Sequence, residues 1–218
     1  MAQRESGYTR IERDRYETPA WVTDVLVEDI RITASDLVWE PAAGGGKMVR
    51  ALRDRGFVVR ATDIDPSGEV SDSTDFLRSV SQFPCDAIIT NPPYKLAMPF
   101  VERALAMTEP SRGLVAMLLR VDFDSAKTRQ HVFADCLQFA HKIVLLDRIC
   151  WVDPKPGQAG PSENHAWFVW DWRADYRDRP RTSWRAGMPL SERERLAALR
   201  RKPKPAPASQ PVPELETT

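Results

Sequence analysis

The sequence predicts an α/β fold, a mostly parallel sheet with helices on both faces. Three observations carry that expectation. Short, unbroken apolar runs recur at 37–39, 57–62, 87–89 and 113–119, each bounded by turn residues, as fits strands covered on both faces. Stretches of helical spacing lie between them, and strand–helix alternation is the pattern of a parallel sheet. Two runs end in stiff, chemically equipped turns, Glu40-Pro41-Ala42-Ala43-Gly44-Gly45-Gly46 and Asn91-Pro92-Pro93-Tyr94. In open α/β sheets ligands bind at the carboxyl ends of strands.

Taken in order, residues 1–15 are polar and charge-rich, with Arg4, Arg10, Arg13 and Arg15 but no apolar period; they read as a flexible arm. Thr18 suits the N-cap of a first helix and Pro19 its first helical position. Val22, Val25, Leu26 and Ile30 form the buried face of that helix. Residues 37–65 form a strand–glycine turn–helix–strand–acid unit: Leu37-Val38-Trp39, the glycine turn, a helix with Met48, Val49 and Leu52 closed by Gly56, then a strand from Phe57 ending at Asp63-Ile64-Asp65-Pro66. The strand at 86–90 feeds Asn91. A helix carrying Phe100, Val101, Ala104 and Leu105 follows, then a strand at 113–119, a helix near 127–138, a strand at 143–146 and an aromatic-rich strand at 165–172. Residues 191–202 have the look of a short charged helix with Leu196 and Leu199. The expected organisation is an arm at 1–15, a catalytic domain at 16–175, and a basic, then Pro-rich, largely disordered tail at 176–218.

The chain has 218 residues and formal net charge zero, so bulk charge argues neither for nor against nucleic acid, and any basic surface is local. No apolar segment is long enough to span a bilayer and the N-terminus lacks a signal-peptide core, so the expectation is a cytoplasmic protein with no membrane partner. Three widely spaced cysteines and three histidines match neither a disulfide framework nor a metal-ligand pattern; no metal is expected.

The Gly44-Gly45-Gly46 turn removes side chains where backbone must approach a ligand, and the following helix N-terminus offers unpaired N–H groups. It is not a phosphate-binding P-loop, because Pro41 stands where that motif needs Gly and Met48 where it needs Ser or Thr. Asp63, at a strand end beyond that turn, suits two ribose hydroxyls. Asp65 competes, but Pro66 commits it to the turn. Asp75 can accept from an adenine amino group with Phe76 packed on the ring; its bland role is a helix cap. In Asn91-Pro92-Pro93-Tyr94, Pro92 holds Asn91 out of the α region and neither proline donates to a ladder. That gathers one amide, one free carbonyl and one aromatic ring.

Thr18-Pro19, Glu40 to Gly46, Asp63, Asp75-Phe76 and Asn91-Pro92-Pro93-Tyr94 occur in the order found in S-adenosylmethionine-dependent methyltransferases of exocyclic amino groups. Over roughly residues 16–172 the chain resembles the adenine-specific DNA methyltransferases, particularly small phage and prophage-like members. The resemblance implies a Rossmann-like class I methyltransferase fold with S-adenosylmethionine as cofactor. The stretch Tyr16 to Pro19, with Tyr16, Thr18 and Pro19, and the turn Gly44, Gly45 and Gly46 would hold the methionine end, Asp63 would bind the ribose, Asp75 with Phe76 the adenine, and Glu40, Pro41, Ala42 and Asn91 would complete the cofactor site. Asn91 and Pro92 would grip the target amino group, followed by Pro93 and by Tyr94, which would stack on the target base. Trp151 is the candidate for the late aromatic that packs on the same base, and core packing is its competing role. DNA is the implied partner. The same chemistry on RNA adenine or a protein glutamine amide is the alternative, and a silent nucleic-acid-binding subunit the alternative from another class. The Glu40-Pro41 turn favours the DNA enzymes over the glutamine enzymes, and two acceptors side by side are superfluous in a binding module.

The chain departs from the DNA enzymes in leaving little room for a target-recognition domain: only residues 77–90 separate Phe76 from Asn91. Recognition then falls to 95–99, 122–130, 148–165 and the basic tail, with Lys155, His165, Arg177, Arg179 and Arg181 as candidate phosphate contacts.

Overall fold

The computed structural model describes residues 16–79, 84–173 and 180–201. The arm with its four arginines, Arg177, Arg179 and the chain beyond 201 lie outside the described residues. Twelve elements follow in order: α1 (Ala20–Asp29), β1 (Leu37–Glu40), α2 (Lys47–Asp54), β2 (Val58–Asp63), β3 (Asp72–Ser73), β4 (Ala87–Thr90), α3 (Ala97–Thr108), β5 (Leu114–Arg120), β6 (Phe139–Leu145), β7 (His165–Asp171), β8 (Arg181–Arg185) and α4 (Leu190–Arg200).

The strands form one sheet ordered β3-β2-β1-β4-β5-β7-β6-β8. Pairing is parallel from β3 to β5 and again between β6 and β8; β7 runs antiparallel to both its neighbours. The mostly parallel sheet with helices on both sides is therefore as expected. Side chains alternate cleanly between two cores. Val38, Ile89, Ala116 and Trp167 face α1 and α2 with Val22, Leu26, Val49 and Leu52. Trp39, Ile88, Val115 and Phe168 face α3 with Phe100, Val101 and Ala104. Every residue of β4 is buried, which is why its sequence reads as an unbroken apolar run; each such fully buried aliphatic side chain contributes about 1.5–3 kcal/mol.

Four local expectations change. Pro19, not Thr18, occupies the N-cap of α1, and no side chain caps that helix; the Thr18 hydroxyl is instead engaged by Asn91. The helix near 127–138 is a 3-10 segment confined to Lys127–Val132. The Trp170 indole N–H donates to the Val132 carbonyl at 2.6 Å, and the Arg129 guanidinium, 3.8 Å from the Phe123 ring centroid, donates to the Phe123 carbonyl; one distant anchor and one local one replace helical continuation. Where a basic tail was expected from 176, residues 180–201 add β8 and α4, the latter close to the helix read at 191–202. β8 is held by Asp29 at the end of α1, which accepts from Ser183 Oγ at 3.0 Å and from Arg185 at 2.6 Å, while the buried His141 ring meets Ser183 Oγ at 2.8 Å. Finally, His165 is 1% exposed, so it contacts no phosphate from the surface. Lys155 and Arg181 are exposed.

Among the described residues no helix is long and apolar enough to cross a membrane. Cys85 is buried, Cys136 and Cys150 half-buried, and all three are free thiols; burial pushes the Cys85 thiol up to about 12.

Candidate active site

The carboxyl ends of β1, β2 and β4 open onto a cavity of about 480 Å³. Its wall comes from each motif in turn: Tyr16, Glu17 and Thr18, then Glu40 to Gly44, then Asp63, then Asp75 and Phe76, then Asn91 and Pro93. Residues far apart in sequence meet here because β1, at the centre of the parallel section, has β2 on one side and β4 on the other.

The glycine turn is built for close approach. Gly44 and Gly46 have φ of 55° and 93°, a left-handed backbone that costs other residues strain, and Gly46 caps α2 in that conformation. Asp63 fixes the turn from across the sheet: one carboxylate oxygen accepts from the Gly44 amide at 2.8 Å and the other from the Asp65 amide at 2.8 Å. Asp63 is half-buried and lines the cavity, whereas Asp65 is exposed and does not. Asp75 also lines the cavity, and one of its oxygens accepts from the Leu77 amide at 3.0 Å. Phe76 is 2% exposed, wedged between Trp39 and Phe100 with centroid distances of 5.4 and 4.9 Å.

Asn91 has its amide nitrogen engaged by the segment before α1. Nδ2 donates to the Tyr16 carbonyl at 3.4 Å and to Thr18 Oγ1 at 3.2 Å. The side-chain oxygen accepts no hydrogen bond from the described residues, and neither does the Pro92 carbonyl. Buried Pro92 and half-buried Pro93 pass the chain into the 3-10 turn Tyr94–Leu96. Tyr94 stands outside the cavity proper, its hydroxyl 2.8 Å from His165 Nε2. Trp151 packs 5.2 Å from His165 and 5.6 Å from Tyr16, so the chain brings Trp151 beside the Asn-Pro-Pro-Tyr turn without placing it in the cavity wall. Pro19, Gly45, Gly46 and Pro92 likewise back the wall without lining it.

Met48, Ile64, Thr74 and Leu77 line the cavity without having been read as site residues, Lys95 and Leu96 belong to the segment expected to aid recognition, and Glu17 lies inside the stretch expected at the methionine end but with no role of its own. Glu17 matters most. Its carboxylate accepts from the Gly45 amide at 2.5 Å and the Lys47 amide at 3.2 Å, so a side chain from the N-terminal segment satisfies the start of α2. The signal was there as an acid between Tyr16 and Thr18, but local sequence gives no hint of a partner 28 positions away.

Four of the cavity's ionisable side chains are acids, Glu17, Glu40, Asp63 and Asp75, against a single lysine, Lys95. Glu40 is 1% exposed and accepts from Thr90 Oγ1 at 2.5 Å and the Ala42 amide at 2.9 Å. Burial pushes its carboxyl up to about 8, with Asp63 and Glu17 adding to the rise and the two hydrogen bonds opposing it. A carboxyl that holds its proton more tightly when folded favours the folded state at low pH. That contribution is complete below the ordinary value of 4.5 and is lost as pH rises to about 8. Glu40→Gln is therefore expected to flatten the decline of the thermal midpoint between these limits, measured by calorimetry across pH. Parallel profiles for the two proteins would contradict this account of Glu40.

The fold has counterparts among solved structures. A structure described as a class I S-adenosylmethionine-dependent methyltransferase from Listeria monocytogenes superposes with TM-score 0.57 at 16% identity, covering 88% of this chain and 71% of that one. A type I restriction–modification methyltransferase subunit from Streptococcus thermophilus gives 0.54 at 14%, covering 73% and 45%. A structure described as an RNA methyltransferase from Pyrococcus horikoshii gives 0.51 at 14%, covering 77% and 92%. The chain has the Rossmann-like fold of the class I methyltransferases. No protein-family model matches it. Among curated proteins, a dimethyladenosine transferase of Chaetomium thermophilum is 31% identical over 116 residues, or 45% of this chain. The chain spans 30% of that relative's length.

Proposed function

We propose that this protein transfers a methyl group from S-adenosylmethionine to the exocyclic N6 amino group of adenine in DNA. The observation that carries the reading is the state of Asn91: its amide nitrogen is tied to Tyr16 and Thr18, which leaves its oxygen as an acceptor on the cavity wall. The cofactor fits the cavity chemically. A ligand bearing a sulfonium and an ammonium group suits a wall where Glu17, Asp63 and Asp75 outnumber Lys95, while Glu40, pushed up to about 8, adds no charge near neutral pH. Asp63 would hold its ribose, Asp75 and Phe76 its adenine, and the glycine turn with Tyr16 and Thr18 its amino-acid end. When bound, the sulfonium supplies a methyl group already activated for displacement.

The protein's own residues supply alignment. An adenine amino nitrogen is a poor nucleophile, since its lone pair is delocalised into the ring. Two acceptors, the Asn91 oxygen and the Pro92 carbonyl, hold its two N–H bonds and favour a pyramidal nitrogen with an available lone pair. Positive charge develops on that nitrogen, and dipoles already oriented toward it lower the barrier without reorganising. No base need remove a proton beforehand. A paired base must leave the duplex to reach such a site, and Tyr94 with Trp151 would receive it; stacking of this kind is worth about 1–3 kcal/mol per base.

A second reading, adenine in RNA, draws support from the likeness to a dimethyladenosine transferase. Incubation with methyl-tritiated S-adenosylmethionine and, separately, duplex DNA, single-stranded DNA, RNA and protein extract tests both. Label is expected in DNA adenine. Label confined to RNA would replace DNA by RNA, and label only in protein would remove the nucleic-acid reading.

A further inference from the structure

We propose that His165 is a positioning residue that holds the Tyr94 ring, with Trp151 edge-on to the same imidazole, setting the base platform before nucleic acid arrives. The inference rests on the reading of Tyr94 as that platform. His165 opens β7 and sits in the ladder opposite Arg120, so its backbone is held by the sheet. Its imidazole is 1% exposed. Nε2 meets the Tyr94 hydroxyl at 2.8 Å, with the rings near parallel at 23° and centroids 6.0 Å apart. On its other contact the Trp151 ring stands edge-on, at 85° and 5.2 Å. One imidazole thus joins the aromatic of the Asn-Pro-Pro-Tyr turn to the aromatic of the 148–165 segment.

Stability does not explain a histidine here. Its Nδ1 is buried and reaches no partner among the described residues, and an unpaired buried polar atom is costly. A phenylalanine ring would fill the same buried position between Tyr94 and Trp151 without that cost. Among the described residues the imidazole's side-chain hydrogen bond goes to the Tyr94 phenol. Tyr94 itself is half-buried and stands outside the cavity wall, so its orientation decides how a base is met as it docks. Fixing it in advance moves the cost of ordering the ring from binding to folding.

The test compares the full-length protein with His165→Phe, His165→Gln and Tyr94→Phe. Long-range proton–nitrogen spectra of the imidazoles are recorded without substrate. Removing the Tyr94 hydroxyl is expected to shift the His165 Nε2 resonance, and an unmoved resonance overturns the contact. His165→Phe is expected to keep or raise the thermal midpoint and leave the S-adenosylmethionine dissociation constant unchanged. It should raise KM for the methylated polynucleotide about tenfold, near the low end of the loss of one base–aromatic stack. His165→Gln, which can still bond the phenol, should recover part of that loss. A lowered midpoint with equal losses in cofactor and polynucleotide binding would mark a purely structural residue and overturn the proposal, as would an unchanged KM. If the wild-type protein methylates no polynucleotide, the functional reading fails, and the imidazole spectra still decide whether His165 holds Tyr94.

Discussion

Asn91→Ala is expected to lower kcat by about two to three orders of magnitude, the range for removing one preorganised group from a charge-stabilising site. The S-adenosylmethionine dissociation constant should change far less. The argument is directional. Asn91 lends its nitrogen to the segment before α1 and keeps its oxygen uncommitted. Alanine deletes the acceptor on which amino-group alignment depends, while Asp63, Asp75 and Phe76 stay in place on other elements. Thr18→Val makes a sharper companion. It removes one partner of the Asn91 nitrogen, so the amide is less firmly oriented, but the acceptor remains. A smaller loss of about tenfold in kcat is expected, on the scale of one hydrogen bond. Equal losses in both variants would argue that Asn91 serves only to anchor the N-terminal segment. Single-turnover rates and calorimetric titration with S-adenosylmethionine separate these outcomes.

Asp63→Ala is expected to have the opposite signature, weakening S-adenosylmethionine binding by about tenfold to a hundredfold. Hydrogen bonds to a charged group are worth about 1.5–3 kcal/mol each, and this carboxylate is placed both to receive a ligand and to hold the turn beside it. Its loss releases the Gly44 amide as well, so the glycine turn loosens where backbone must approach the ligand. Asp65→Ala is the matched control. Asp65 engages Asp63 through its backbone amide, which survives the substitution, and it stands outside the cavity wall. A dissociation constant unaltered in Asp63→Ala, or equally raised in Asp65→Ala, would remove Asp63 from its assigned role.

β1, β4 and β5 were legible because they are buried on both faces and so announce themselves as continuous apolar runs; the exposed two-residue β3, Asp72–Ser73, gave no such signal. The turn at 40–46 and the turn at 91–94 were legible for a related reason: Gly44, Gly46, Pro92 and Pro93 restrict or release the backbone by their own covalent structure. Side-chain partnerships over long sequence separations were not. Nothing near Glu17 signals that it closes the start of α2, nor does the sequence around Thr18 reveal that its hydroxyl serves Asn91 rather than a helix. His165 reads as a surface cation until the antiparallel pairing of β7 with β5 carries it inside. β8 has the composition of a tail; its order comes from Asp29, more than 150 positions earlier in the chain. The 3-10 segment at Lys127–Val132 likewise yields to anchors on Trp170 and Phe123 that helical periodicity does not encode.

The central claim is that Asn91 and Pro92 direct a methyl group onto an exocyclic adenine nitrogen. It is tested most directly by supplying S-adenosylmethionine with a deuterated methyl group, digesting the modified polynucleotide to nucleosides, and locating the label by mass spectrometry. The account predicts deuterated methyl on adenine N6 with the wild-type protein and almost none with Asn91→Ala. Label on a ring nitrogen or ring carbon, or N6 label undiminished in Asn91→Ala, would contradict it.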